Sequence, residues 1–517
     1  MPPTPPTRLQ QAESLWDKGA FGLAFEAVND GLREWPQDFA LRSFRGFVLG
    51  RSGHGKAALE DHREALRNGS HSALCWMNYG DTLLLLGDLK QASEAFERAL
   101  VLNPMASKAL SELILCHQYL GEITPADLGA LHCLWAERFL PNLPPPHWDL
   151  DRDPERRLRI GYLSPDFREH SVARFLNPLL KAHDPGQVEL HAYSVSPQQD
   201  ATTERMKLQV QNFHEVASLS DDALTERIRG DRIDILVELG GHSSEGRLGV
   251  VARHAAPIQI FWLGYPGTTG VDAFYGRFTD SVVDPEGIPT FGPEIPLRLP
   301  GGFHCFQPDP AAPEPSALPM LDRGGPTFAS FNALRKHTPQ VLETWAALLR
   351  QVPGARLLLK TQGLADPMVR DRLHAHFAEA GVNPARVELQ GFSLASEHLT
   401  WYHQADIALD TFPYNGVTTT CEALWMGLPV VTLYGDRPAG RECASLLTQA
   451  GHTEWIAQTQ GEYVEIAKSM SADPAWLSRQ RARQRDELKL TPLLDAVALS
   501  RTVEGAYRHV WREWCAR

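Results

Sequence analysis

The feature that most constrains the fold is a repeat with a period of 34 residues near the N-terminus. Small residues occupy four positions at this spacing in each of two phases: Gly19, Gly53, Gly87 and Gly121, and Ala24, Ala58, Ala92 and Ala126. A period of 34 with small residues at fixed positions is typical of tetratricopeptide repeats, which are pairs of packed helices. We therefore predict about three and a half repeats over residues 8–140, stacked as a short solenoid.

Beyond the repeats the pattern changes to strands that alternate with helices. Short apolar runs at 158–163, 188–195, 233–239 and 258–263 are separated by helical stretches. The same alternation resumes near residue 327. Strands that alternate with helices predict a parallel sheet covered on both faces. The fold class we expect is therefore a tetratricopeptide solenoid followed by two α/β lobes.

Two proline-rich segments divide this part of the chain, since proline favours extended linkers. We predict repeats over 1–140, an N-terminal lobe over 158–305, a C-terminal lobe over 326–480 and C-terminal helices over 481–517. The linkers between them span 141–157 and 306–325. Two α/β lobes in series predict a ligand cleft at their interface.

Composition excludes several classes of protein. The net charge of −13 argues against a nucleic-acid partner or an anionic membrane surface. The sequence contains no run of about 18 apolar residues, so we expect no membrane-spanning helix. The seven cysteines contain no C-x-x-C pair, which argues against a disulfide scaffold and a structural zinc site. We therefore expect a cytoplasmic protein with neither a membrane nor a nucleic-acid partner.

The most informative segment, 410–427, follows a predicted strand. It contains the turn signal Asn415-Gly416. Thr419 and Glu422 have the spacing of a capping box, which predicts that a helix starts there.

Three consecutive threonines, Thr418, Thr419 and Thr420, lie at this predicted helix start. A helix N-terminus offers backbone N–H groups and a positive dipole end to an anion. The hydroxyls either cap the helix or also bind a phosphate. Three threonines exceed what a cap needs, so the sequence favours phosphate binding.

A second strand-end loop carries Lys336, between a predicted strand and a helix that begins near Pro339. Lysine binds phosphates as a point charge. Lys336 is therefore either a phosphate ligand or a solvated surface charge.

The N-terminal lobe carries two histidines in strand-end loops. His170 follows the first predicted strand and His242 follows the third. A neutral imidazole can accept a proton near physiological pH. With 20 histidines in the chain, each is a candidate base or a structural residue.

Five longer motifs carry a resemblance to a known family. They are RIGYLSPDFREH at 159–170, DILVELGGH at 234–242, APIQIFWLGYPGTTG at 256–270, FNALRKHTP at 331–339 and DIALDTFPYNGVTTTCEALWMGLPVVTL at 406–433. With the repeats they make the chain similar to protein O-linked N-acetylglucosamine transferases and their SPINDLY relatives. The resemblance implies the two-lobed GT-B fold. It also implies inverting transfer of a sugar from a nucleotide donor to a protein Ser or Thr, without a cofactor or an obligatory metal.

The resemblance also implies roles for individual residues. Lys336, Thr418 and Thr419 match the family's diphosphate ligands, and Glu422 matches an acidic residue on the donor ribose. His398 matches a histidine near the nucleotide base. The resemblance places His170 near the acceptor as a proposed base, and His242 remains a second candidate. The concave face of the solenoid is expected to hold the protein acceptor.

Alternatives remain open for the sugar and the activity. Val417 and Ala333 stand where the human-type enzyme has polar donor contacts, and the run 418–422 is closer to SPINDLY proteins, some of which use GDP-fucose. UDP-N-acetylglucosamine is the expected donor. Protein O-fucosylation, N-glucosylation of asparagine and an inactive repeat scaffold are the alternatives. No D-x-D triplet accompanies the phosphate loops, so we expect a metal-free site.

Overall fold

The computed structural model describes residues 4–243, 246–391 and 393–517. The first part of the chain forms a helical array: α1 (Pro5–Asp17), α2 (Phe21–Glu34), α3 (Phe39–Arg51), α4 (Gly55–Gly69), α5 (Ala73–Leu85), α6 (Leu89–Leu102), α7 (Ser107–Leu120) and α8 (Pro125–Phe139).

Strands and helices alternate after the array. The middle of the chain forms β1 (Leu158–Ser164), α9 (Ser171–Ala182), β2 (Val188–Ser194), α10 (Ala201–Lys207), β3 (Asn212–Glu215), α11 (Asp221–Gly230), β4 (Ile235–Glu238), α12 (Leu248–Val251), β5 (Ile258–Phe261), β6 (Gly276–Thr279), β7 (Ile295–Arg298) and α13 (Met320–Arg323).

The same alternation continues to the end of the chain. Its elements are β8 (Thr327–Ser330), α14 (Pro339–Gln351), β9 (Arg356–Lys360), α15 (Pro367–Glu379), β10 (Val387–Gln390), α16 (Ala395–His398), β11 (Ile407–Leu409), α17 (Thr418–Trp425), β12 (Val430–Leu433), α18 (Glu442–Gln449), β13 (Ile456–Ala457), α19 (Gln460–Ser471), α20 (Pro474–Leu488) and α21 (Ala496–Cys515).

The predicted repeats are confirmed as helix pairs. The four glycines of the 34-residue register lie just after α1, α3, α5 and α7, and each has φ between 67° and 75°. Glycine adopts this left-handed conformation without steric strain because it has no Cβ atom, whereas residues with a side chain are strained there. Each glycine therefore ends the first helix of a pair and lets the chain turn into the second.

The chain divides into two compact units. One contains Met1–Glu122 and Gly324–His398, and the other contains Ile123–Arg323 and Leu399–Arg517. The first unit thus combines the helices α1 to α7 with β8, β9 and β10, which pair in parallel.

The second unit contains a seven-stranded sheet in the order β3-β2-β1-β4-β5-β6-β7, which we call the first sheet. Its strands are parallel, as the alternation of strands and helices predicts. The strands β11, β12 and β13 of this unit also pair in parallel. The expected fold class is therefore confirmed: helical repeats precede two α/β regions with parallel strands.

The C-terminal helix α21 packs against the first sheet. The hydroxyl of Tyr507 lies 2.9 Å from that of Tyr162 on β1, and Trp511 is fully buried. The end of the chain thus completes the core under the first sheet. Among the described residues, no helix combines the length and apolar character needed to cross a bilayer.

The sequence patterns missed the strands β3, β6, β7 and β13. The edge strands β3 and β7 are partly exposed along their length. An edge strand with an exposed face lacks the continuous apolar run that identifies a buried parallel strand.

We predict that Gly80→Ala destabilises the repeats. A Cβ atom on Gly80 of α5 would lie 2.6 Å from the fully buried Phe96 ring, so the helices of the pair would have to separate. Such overpacking costs about 1–3 kcal/mol. The control is Gly505→Ala in the middle of α21, where an added Cβ meets no described atom within 4 Å apart from the adjacent backbone of its own helix, and helix propensity favours alanine. Urea unfolding should show a loss of stability for the first variant and a small gain for the second. Equal stability of the two would contradict the close approach of α5 and α6.

Candidate active site

A buried carboxylate holds the loop that follows β11. Asp410 is 2% exposed. Its Oδ1 accepts from the backbone N–H of Gly416 at 2.7 Å, and its Oδ2 accepts from the Thr432 hydroxyl at 2.7 Å. The Tyr463 hydroxyl donates to the Asp410 carbonyl oxygen at 2.8 Å. These bonds connect β11, β12 and α19 to one loop, so the start of the next helix has a defined position.

Helix α17 begins at Thr418, and its N-cap residue is Val417. Valine has no polar side chain, so the expected capping box between Thr419 and Glu422 is wrong. Glu422 is buried instead, and it accepts a hydrogen bond from the Tyr402 hydroxyl at 3.3 Å. The helix starts two residues earlier than a capping box would place it.

The three threonines of this helix start differ in their surroundings. Thr420 is buried, and its hydroxyl donates to the carbonyl oxygen of Gly416 at 2.8 Å. Thr418 and Thr419 lie in the first turn and are half-buried. Because valine does not cap the helix, the first-turn amides and these two hydroxyls form the part of α17 suited to an anion. Thr420 instead stabilises the turn that precedes the helix.

Lys336 lies in the loop between β8 and α14, at the end of a short 3-10 helix, Leu334–Lys336. As expected, α14 begins at Pro339, and the Thr338 side chain caps it. Lys336 is half-buried. The adjacent His337 is fully buried, and burial, followed by the charge of Lys336, lowers its pKa to about 4. His337 is therefore neutral near pH 7, and Lys336 provides positive charge in this loop.

In the first unit, His398 lies near an aromatic ring at the start of the loop that carries Lys336. Phe331, just after β8, has its ring centre 6.2 Å from that of His398. Lys360, at the end of β9, is 7% exposed and places its Nζ 2.9 Å from Nδ1 of His398. An ammonium can only donate, so Nδ1 accepts and a neutral His398 ring carries its proton on Nε2.

Sequence reasoning missed Lys360. It directly follows the predicted strand 356–359, which pairs with the strand before Lys336, and strand ends are where binding residues of parallel sheets lie. The signal was therefore present in the sequence.

His170 is the N-cap residue of α9, just beyond β1, and its side chain is 40% exposed. Its Nδ1 accepts from the backbone N–H of Val172 at 3.3 Å and lies 3.2 Å from Oδ1 of the buried Asp166. A carboxylate at this distance stabilises a protonated imidazole. His170 is thus a partly exposed imidazole with a buried carboxylate beside it.

His242 lies in the loop after β4, which is the neighbour of β1 in the first sheet. Its Nε2 donates to the carbonyl oxygen of Thr269 at 2.8 Å. The ring packs on Trp135 of α8 and on Tyr265, with ring centres 4.7 and 5.4 Å away. Burial lowers its pKa to about 4. In the described part of the chain its buried Nδ1 has no hydrogen-bond partner, so a neutral His242 presents an acceptor there.

Glu238 ends β4 and supports the same loop. Its two carboxylate oxygens accept from the backbone N–H groups of Gly240 and Gly241 at 2.9 and 2.8 Å. Burial is the largest effect on this group and raises its pKa to about 7, although these backbone bonds oppose the rise. Sequence reasoning missed Glu238 because an apolar run predicts a strand but gives no information about the role of the residue that ends it.

One group of side chains in the described ranges has the composition of a metal site. The ligand atoms of His191, His214 and Asp231 lie within 4.8 Å of one another at the edge of the first sheet. Arg227 donates to Nδ1 of His214 and to Oδ2 of Asp231, both at 2.9 Å. Since Nδ1 of His214 accepts this bond, its Nε2 carries the ring proton and cannot ligate an ion in this arrangement. The group therefore forms a hydrogen-bonded network.

The comparisons with known proteins agree on one family. The model of glycosyl transferase family 41 matches residues 130–290 and 321–502. A solved structure of a Thermobaculum terrenum O-GlcNAc transferase mutant superposes with a TM-score of 0.93 at 35% identity. That comparison covers 99% of this chain and 98% of the other.

Curated relatives are longer than this chain. A protein of Petunia hybrida named probable UDP-N-acetylglucosamine–peptide N-acetylglucosaminyltransferase SPINDLY is 37% identical over 422 residues, which cover 80% of this chain and 45% of the relative. The Arabidopsis thaliana protein with the same enzyme name and the designation SEC is 31% identical over 375 residues, 70% of this chain and 38% of its own length. The chain thus spans less than half the length of these relatives.

We predict that Glu238→Gln changes how stability depends on pH. The pKa of Glu238 rises from 4.5 to about 7 on folding, so its contribution to stability is fully present below pH 4.5 and is lost as the pH rises through 7. A shift of this size corresponds to about 3 kcal/mol. In urea unfolding between about pH 4.5 and 7.5, the free energy of unfolding of the variant should therefore rise relative to that of the wild type as the pH increases. The exposed Glu226→Gln is the control. If the free energy of unfolding changes with pH in the same way for wild type and Glu238→Gln, the prediction of a raised pKa for Glu238 is wrong.

Proposed function

The chain belongs to glycosyl transferase family 41, and on this premise we propose that it transfers N-acetylglucosamine from UDP-N-acetylglucosamine to Ser or Thr hydroxyls of proteins. The proposed reaction inverts the anomeric centre and needs no metal. The observation that carries the proposal is the start of α17. There a turn held by Asp410 presents first-turn amides with Thr418 and Thr419. Such a helix start suits a diphosphate.

The leaving group determines what the donor residues must do. Breaking the anomeric C–O bond leaves negative charge on the nucleoside diphosphate. Lys336 and the start of α17 would each stabilise that charge, through an ammonium ion and through oriented N–H dipoles. Groups of this kind replace the metal ion that other transferases use, which supports a metal-free reaction. Glu422 and His398 would bind the donor ribose and base, as the resemblance implies.

The acceptor hydroxyl requires a base, and the surroundings favour His170 over His242. A general base works best when its pKa lies near the working pH. Burial lowers the pKa of His242 to about 4, which makes it a weak proton acceptor. His170 is partly exposed and lies beside the carboxylate of Asp166. We assign proton removal to His170, and to His242 Nδ1 a hydrogen bond that orients the acceptor or the sugar.

The protein acceptor would lie along the repeats. Stacked helix pairs form a concave surface suited to an extended peptide. The relatives are named as peptide transferases, which supports a polypeptide acceptor for this chain.

Intact-protein mass spectrometry tests the proposal. A mixed pool of protein acceptors would be incubated with UDP-N-acetylglucosamine, GDP-fucose or UDP-glucose, with and without EDTA. The proposal expects an N-acetylhexosamine adduct on Ser or Thr that persists in EDTA. A fucose adduct would favour the alternative suggested by the SPINDLY-like run 418–422. A hexose on asparagine would indicate N-glucosylation, and the absence of any adduct would favour a binding scaffold.

We predict that Lys336→Ala lowers kcat more than it weakens donor binding. Negative charge grows on the diphosphate as the bond breaks, so the ammonium contributes more in the transition state than in the ground state. Loss of one such group typically costs about 10²–10³ in rate. Lys336→Arg should restore only part of the rate, because a planar guanidinium does not replace a compact ammonium. Steady-state kinetics and UDP titration measure both effects. Near-normal turnover in Lys336→Ala would remove Lys336 from the proposed site.

We predict that His170→Gln and His242→Gln differ in their pH profiles. Loss of a general base typically costs about 10²–10⁴ in rate. His170→Gln should lose this much, together with the acidic limb of the kcat/KM profile. His242→Gln should lower the rate but keep the limb. If the acidic limb disappears only in His242→Gln, then His242 is the base and His170 is the orienting residue.

A further inference from the structure

The first unit joins the repeats to the loop that carries Lys336. The turn between α5 and α6 contains Gly87, whose φ is +73°. An added Cβ on Gly87 would lie 3.0 Å from Cγ of Leu334, the residue two positions before Lys336. Leu334 is 6% exposed. A repeat turn therefore packs directly on the short 3-10 helix that ends at Lys336.

A second contact involves the residue next to Lys336. The guanidinium of Arg335 lies over the ring of Tyr119 on α7, with its carbon 5.4 Å from the ring centre. Tyr119 is 2% exposed and belongs to the repeat that follows the Gly87 turn. Stacking of this kind restricts a side chain that solvent would otherwise leave mobile.

Further contacts hold the segment behind this loop. The backbone N–H of Gly55, the first residue of α4, donates to Oδ2 of Asp366 at 2.5 Å. Arg372 of α15 donates to the carbonyl oxygen of Leu86 beside the Gly87 turn. An added Cβ on Gly363 would lie 2.7 Å from Cδ2 of Leu334. Leu334 is thus enclosed between a repeat turn and the segment after β9.

We propose that the turn at Gly87 and the side chain of Leu334 position Lys336 for catalysis, so that the repeats contribute to the sugar-transfer step as well as to acceptor binding. This inference rests on the proposed role of Lys336 at the donor diphosphate. Leu334 and Arg335 are positioning residues. They act through the backbone that leads directly into the lysine.

Close packing gives this contact its effect. Packed groups transmit small displacements because few voids exist to absorb them. A misplacement of about 1 Å at a reacting group can cost roughly 10²-fold in rate. A shift of the Gly87 turn against Leu334 would therefore change the rate of transfer at a given donor concentration.

The test compares Gly87→Ala with Gly19→Ala in the full-length protein. Both glycines lie in repeat turns, with φ values of +73° and +75°, so alanine strains the backbone equally. Among the described residues nothing lies within 4 Å of an added Cβ on Gly19, whereas the Cβ on Gly87 meets Leu334. We expect a loss of Tm for Gly87→Ala at least as large as that for Gly19→Ala, equal UDP affinity and a kcat for Gly87→Ala that is lower by roughly tenfold.

The double variant Gly87→Ala/Leu334→Ala separates positioning from general damage. If the alanine acts through Leu334, this variant should turn over no more slowly than Leu334→Ala alone. Should Gly87→Ala not fold, Tyr119→Leu is compared with Tyr119→Phe, which keeps the ring, and the same loss of kcat is expected. Equal turnover of Gly87→Ala and Gly19→Ala would overturn the inference. If Lys336→Ala is also fully active, the proposed function of Lys336 fails; if Lys336→Ala is inactive, only the positioning by the repeats fails.

Discussion

Parallel pairing of strands is the constraint on which the rest of this structure depends. In a parallel ladder the carboxyl ends of neighbouring strands lie at the same edge, so the loops that follow them gather there. In the second unit His170 follows β1 and His242 follows β4, and these strands pair directly. In the first unit Lys336 follows β8 and Lys360 ends β9, which pair in the same way. Strands far apart in sequence become neighbours because backbone hydrogen bonds align them.

Burial determines the protonation of the groups at these strand ends. It lowers the pKa of His242 and His337 to about 4 and raises that of Glu238 to about 7. Two imidazoles are therefore neutral near pH 7, and one carboxyl group changes charge there. His170, beside Asp166, is the partly exposed exception. The same residue type thus serves as a hydrogen-bond acceptor in one loop and as a candidate base in the next.

The register of small residues in the repeats has two consequences. It ends the first helix of each pair through glycines in the left-handed conformation. It also leaves a turn without a side chain at Gly87, where Leu334 packs. The spacing that builds the array therefore also provides the surface on which a loop of the α/β region lies. Helical repeats and α/β strands belong to one compact unit.

The sequence by itself determined the repeat array, the parallel α/β class and most of the buried strands, because these follow from local periodicity and short apolar runs. It also identified the loops of Lys336, His170, His242 and Thr418, since strand ends can be recognised without knowing what they contact. Only the tertiary structure decided that Thr420 stabilises a turn, that Glu422 pairs with Tyr402 and that Lys360 meets His398. It also revealed the contact between Leu334 and the Gly87 turn. These outcomes depend on which side chains approach one another from distant parts of the chain and on how much water they exclude, and neither quantity is encoded in local spacing.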